Sequence, residues 1–181
     1  ESEGGSLEIS DKRFFNFACS ASGSATDCSG IDVNTKFVRG NPALGFSGPF
    51  FDRGGGQPAD FLIEYDVEVT DPTKGIEQIS LDFNPSTTIT GAPGASATVT
   101  ETVRDSNNQS VGNIAVNFND LEDPEFEPGT PNDIPLNGRF SFLSVDKDIQ
   151  LDGGSNPENR TEVSLVNQDF EQNGTPVPAP A

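Results

Sequence analysis

Histidine, methionine and tryptophan are absent from the 181 residues, tyrosine occurs once and cysteine twice. Without histidine, the commonest general base and the commonest zinc ligand are both missing, which excludes Ser-His and Cys-His nucleophilic machinery. The lack of tryptophan, with Tyr65 alone to represent tyrosine, leaves little from which to build an aromatic platform for sugars. Basic residues are also few, 10 against 29 acidic, for a net charge of −19. A chain so acidic repels phosphate backbones, so nucleic acid is not an expected partner. No run approaches the roughly 18–20 apolar residues of a membrane span. Helix-length windows are scarce too, because 19 glycines and 14 prolines are spread along the chain.

What the chain does have is alternation. Asp60–Thr70 reads DFLIEYDVEVT, with Phe61, Ile63, Tyr65, Val67 and Val69 on one face and Leu62 among the acids on the other. Period two with one apolar face predicts a half-buried antiparallel strand. Similar patterns recur at Leu7–Ile9, Phe14–Phe17, Ile31–Arg39, Leu44–Phe51, Ile79–Phe83, Ala95–Arg104, Ile114–Phe118, Phe140–Val145, Asp148–Leu151 and Thr161–Phe170. Turn residues punctuate them, and Asp71-Pro72-Thr73-Lys74-Gly75 predicts a hairpin joining Asp60–Thr70 to the next strand. Asn41-Pro42 and Gly48-Pro49 suggest edge strands. The stretch 119–138, rich in proline and acid, reads as irregular. Short strands at this spacing predict an all-β, antiparallel two-sheet β-sandwich, jelly-roll-like, with residues 1–170 as a single domain and 171–181 as a proline-rich tail.

Cys19 and Cys28 bracket a loop of small polar residues with nothing else to order it, and a disulfide is the expected bond. On the loop-entropy model such a bridge contributes roughly 3 kcal/mol, and it implies an oxidising compartment. No cofactor is demanded by the sequence, and calcium is the one candidate. Asp120, Glu122, Asp123, Glu125, Glu127 and Asp133 crowd one segment, where carboxylate oxygens on a pliant backbone suit a hard cation. Weaker groupings are Asp152 with Asn156 and Glu158, and Asp52 with Asp60. Gly54-Gly55-Gly56 lacks the Lys-Ser/Thr of a phosphate loop.

The two ends carry a resemblance. Asp11-Lys12 followed by Phe14 and Phe17, and the closing run Pro176, Val177, Pro178, Ala179, Pro180, resemble exported bacterial proteins of the PEP-CTERM type in their mature form. In that family a Val-Pro-x-Pro signal lies near the site of exosortase processing, and Ala179 stands where glutamate is commonest. The resemblance implies a secreted protein of the cell surface or biofilm matrix; it does not imply an enzyme, and none is expected. The expectation that follows is an extracellular structural protein that self-associates as a homo-oligomer or homopolymer, such as a filament subunit, with extracellular polysaccharide as a further partner. The alternative is a monomeric, calcium-dependent carbohydrate-binding or adhesion module. A glycosidase with two loop carboxylates is the third reading.

Overall fold

The computed structural model describes residues 5–88, 94–119 and 132–172. These contain eleven strands: β1 (Leu7–Ile9), β2 (Lys12–Gly23), β3 (Asp32–Val38), β4 (Asn41–Arg53), β5 (Ala59–Val69), β6 (Ile76–Thr88), β7 (Ser96–Arg104), β8 (Ser110–Asn119), β9 (Asn132–Phe140), β10 (Phe142–Asp152) and β11 (Arg160–Glu171). They form a six-stranded sheet in the order β1-β2-β5-β10-β7-β8 and a five-stranded sheet in the order β3-β4-β11-β6-β9. Every pairing is antiparallel. The chain crosses repeatedly between the sheets and takes three hairpins, β1–β2, β3–β4 and β7–β8, within them, which is the wrapping of a jelly roll. The expected two-sheet sandwich is therefore observed. None of the described residues forms a helix long and apolar enough to cross a membrane.

The inward faces supply the core. Phe61, Ile63, Tyr65 and Val67 of β5 meet Phe46, Ile79, Leu81, Val166 and Phe170 across the sandwich, all nearly inaccessible to solvent. Phe14, Phe46 and Tyr65 form a tilted ring cluster, with Phe14 and Tyr65 centroids 6.4 Å apart and Phe46 and Tyr65 5.6 Å apart. Cys19 and Cys28 are bonded, closing the loop after β2 as expected.

Several expectations are corrected. The hairpin predicted after Asp60–Thr70 does not form, because β5 and β6 belong to opposite sheets and Asp71–Gly75 bridges them at the end of the sandwich. The partners of β5 are instead β2 and β10. β4, expected at an edge, lies between β3 and β11; Pro49 falls where the β4–β11 register shifts, between Phe50↔Val163 and Ser47↔Leu165. At such a bulge the missing N–H costs no ladder bond. Part of the stretch read as irregular, from Asn132 onward, is β9, and it accommodates Pro135 because it is an edge strand. The two short strands expected on either side of Asp146-Lys147 are one, β10. Lys12 opens β2 and is buried.

Candidate functional site

The outer face of the five-stranded sheet is mostly polar, and its strand registers stack the outward residues into rows. One row runs Lys36, Ala43, Asp169, Ser80, Asp133 across β3, β4, β11, β6 and β9. The next runs Asn34, Gly45, Asn167, Asp82. Beyond the first row lie Glu171, Gln78 and Pro135. Past the bulge, Phe51 pairs with Glu162 and Arg53 with Arg160. Twelve residues of β11 at about 3.3 Å each make this face roughly 40 Å long.

Its centre is a floor of small residues. Ala43 is fully buried and Gly45 nearly so, and Ser80 is 2% exposed. A Cβ at Gly45 would stand 3.0 Å from Lys36 Cε and 3.1 Å from Asn34 Oδ1, so these two side chains lean over the floor from β3. Arg39 closes the face from one end. It occupies the two-residue β3–β4 turn with φ +52°, followed by Gly40 at +88°, the left-handed pair that a tight hairpin demands. From there its guanidinium reaches over the sheet, donating to both oxygens of Asp133 at 2.8 and 2.9 Å and to Asp169 Oδ2 at 2.9 Å.

These contacts set the electrostatics. The Arg39 hydrogen bonds hold the Asp133 carboxyl below its usual range. Burial raises Asp169 despite the same guanidinium, and burial also raises Asp82. Asn167 Nδ2 donates to Asp82 Oδ1 at 2.5 Å, while Asn167 Oδ1 meets no donor among the described residues. Gln78 Nε2 donates to Glu171 Oε2 at 2.6 Å. At the far end the Arg160 guanidinium lies 4.7 Å from the centre of the Phe51 ring, which is 37% exposed. The face thus offers amide, carboxylate, ammonium and guanidinium groups at strand spacing over a small-residue floor, flanked by one exposed ring. Such an array can hydrogen-bond an extended, hydroxyl-rich ligand.

The residues singled out in the sequence are placed differently. Asp120, Glu122, Asp123, Glu125 and Glu127 lie outside the described residues, as do Pro176, Val177, Pro178, Ala179 and Pro180. Asp133 belongs to β9 and is occupied by Arg39. Asp152 Oδ1 and Asn156 Oδ1 accept backbone N–H groups of their own turns, from Gly154 and Glu158. Asp52 is buried and ties loops together, accepting from Gly153 N at 2.8 Å and from Ser24 Oγ. Asp60, on the outer face of the six-stranded sheet, accepts from Ser22 and pairs with Asp148. No group of three or more metal-ligating side chains gathers among the described residues. Sequence reading missed the polar rows; the signal it could have used is Gly45, a glycine inside a strand, which marks a close approach.

No protein-family model and no curated protein sequence matches the chain. Among solved structures it is similar to a carbohydrate-binding module of the β-sandwich superfamily, at 12% identity and TM-score 0.34, over 87% of this chain and 56% of that one. It is similar also to the CBM22-1 xylan-binding domain of Paenibacillus barcinonensis Xyn10C, at 12% identity and TM-score 0.24, over 83% of this chain and 85% of that domain. An arabinose-bound GH51 α-L-arabinofuranosidase is matched at 8% identity and TM-score 0.27, over 83% of this chain and 23% of the enzyme. These overlaps are loose, and the reading of the site rests on its own geometry.

Proposed function

We propose that this chain is a non-catalytic, extracellular glycan-binding module whose binding surface is the outer face of the five-stranded sheet. The observation that supports this reading is the stack of polar rows over the Ala43–Gly45 floor. A sugar chain presents hydroxyl pairs at intervals, and paired amide and carboxylate groups on neighbouring strands can answer them in succession. Phe51 offers the apolar surface that a sugar's C–H face requires. With a net charge of −19 the module favours neutral or cationic polysaccharides over uronate-rich ones. The disulfide suits an oxidising exterior, and the PEP-CTERM resemblance adds the cell surface or matrix as its place of work.

The test is affinity electrophoresis and calorimetry against neutral, aminated and uronate-rich polysaccharides, with calcium and with a chelator. Saturable binding to a neutral or aminated polymer is expected, and failure to bind any of them overturns the reading. Self-association is the second reading, favoured by Phe37, 61% exposed on the edge strand β3. Sedimentation that grows with concentration supports it, and a concentration-independent monomer removes it.

A further inference from the structure

The core holds a cluster that neither binding nor assembly uses. Lys147 on β10 points inward and sits directly opposite Glu101 on β7 in the register of the six-stranded sheet. Its Nζ is 2.5 Å from Glu101 Oε2 and 3.0 Å from Oε1 of Gln168, which projects from β11 in the opposing sheet. The side chains of Lys147 and Glu101 are wholly inaccessible, and so is Gln168. The surroundings are aromatic: Nζ lies 5.4 Å from the centre of the Phe46 ring, and Phe46 packs on Tyr65.

As a purely structural feature this cluster is poorly made. A buried ion pair repays its desolvation only when the remaining polar atoms are satisfied. Here Glu101 Oε1, Gln168 Nε2 and the Tyr65 hydroxyl have no hydrogen-bond partner among the described residues. The arrangement makes sense as reactants: an amine, a carboxamide touching it, and a carboxylate bonded to the amine, sealed from water. We propose that Lys147 and Gln168 condense into an intramolecular isopeptide bond, with Glu101 as the catalytic proton carrier.

The steps balance without any other reactant. Glu101 takes a proton from the Lys147 ammonium, and the freed lone pair on Nζ attacks Cδ of Gln168, moving the carbonyl electrons onto oxygen. Glu101 delivers its proton to Nε2 and takes a second one from Nζ. The carbonyl reforms, the Cδ–Nε2 bond breaks, and ammonia departs, leaving a secondary amide and a protonated Glu101. Burial favours the starting proton transfer, since it lowers the lysine's affinity for its proton and raises the carboxylate's. Gln168 Nε2, the leaving nitrogen, has no hydrogen-bond partner among the described residues. The product would staple β10 to β11, and so one sheet to the other, closing a link between positions 21 residues apart.

Mass spectrometry of the purified, folded protein tests this. The expected result is a chain lighter by one ammonia, a missing tryptic cut at Lys147, and a branched peptide that fragments into Lys147 and Gln168 segments. Because Asn173-Gly174 can lose ammonia by itself, the branch and not the mass alone is decisive. The Glu101→Gln chain is expected to yield the linear peptides. Linear Lys147 and Gln168 peptides from the unsubstituted protein overturn the proposal, as does a branch to Glu101 with loss of water. A branch that persists undiminished in Glu101→Gln overturns the role of Glu101.

Discussion

Arg39 and Asp169 are 130 residues apart in sequence and meet at 2.9 Å over the outer face of the five-stranded sheet. Asp169 is 2% exposed, so its carboxylate depends on that guanidinium for its charge, whereas Asp133, the second carboxylate Arg39 holds, is well solvated. Arg39→Ala strands Asp169 and is expected to cost about 1–3 kcal/mol in chemical denaturation, the usual penalty for orphaning a buried polar group. Arg39→Lys should recover only part of this, because an ammonium lacks the fork that spans two carboxylates. An unchanged denaturation midpoint in the alanine variant would mean that the contact is an ordinary surface pair of negligible worth.

A different carboxylate relationship sets a pH dependence. On the outer face of the six-stranded sheet, burial and the neighbouring Asp60 raise the Asp148 carboxyl to about 6. Between its ordinary value near 4 and about 6, the folded chain therefore holds a proton that the unfolded chain has released. This pair makes folding less favourable as pH rises through that window, and the full penalty is present above it. Asp148→Asn removes the penalty. Since the pair is partly exposed, solvent screening reduces its effect, and a rise in Tm of roughly 2–4 °C at pH 7, against little change at pH 4, is expected. The measurement is a pair of melting curves for each chain, and equal shifts at both pH values would contradict the assignment.

The sandwich was legible in the sequence because its inward faces alternate cleanly, as Phe61, Ile63, Tyr65, Val67 and Val69 do. Strand partners were not, since a turn such as Asp71–Gly75 reads the same whether it joins neighbours or bridges two sheets. Lys147 interrupted the reading of β10 for a specific reason. A lysine between two aspartates signals solvent, and only the burial of Glu101 directly opposite makes an inward lysine tolerable. The polar rows were hidden in another way. Asn167, Asp82 and Asn34 each look like routine outward residues, and they become a surface only when registers between strands far apart in the chain are fixed.

Asp52 links the disulfide loop to the turn after β10 through Ser24 Oγ and Gly153 N. Gly54 makes that junction possible, since a Cβ there would fall 2.2 Å from Asn156 O. Asp52→Ala leaves the Gly153 N–H buried and unpaired and is expected to cost about 1–3 kcal/mol. Removing Cys19 and Cys28 together should cost up to roughly 3 kcal/mol. The two losses should not add, because each loosens the same loop. A double-mutant cycle by denaturant unfolding measures this, and simple additivity would show that the bond and the carboxylate act independently.

The proposed glycan face makes the sharpest demand on Gly45. Its φ is unstrained, and the atoms a side chain would meet there are the ends of Lys36 and Asn34, which can swing away. Gly45→Leu should therefore fold, yet fill the floor on which a sugar chain would lie, and abolish polysaccharide binding. Asn167→Ala removes the donor that holds Asp82 in the central row, without filling space. At about 0.5–1.5 kcal/mol for a hydrogen bond, affinity should fall roughly 2- to 12-fold. Thr100→Ala, exposed on the opposite sheet, should bind as the unsubstituted chain does. If all three variants bind equally while retaining their fold by circular dichroism, the ligand lies elsewhere. If Thr100→Ala alone loses affinity, the outer face of the six-stranded sheet takes its place.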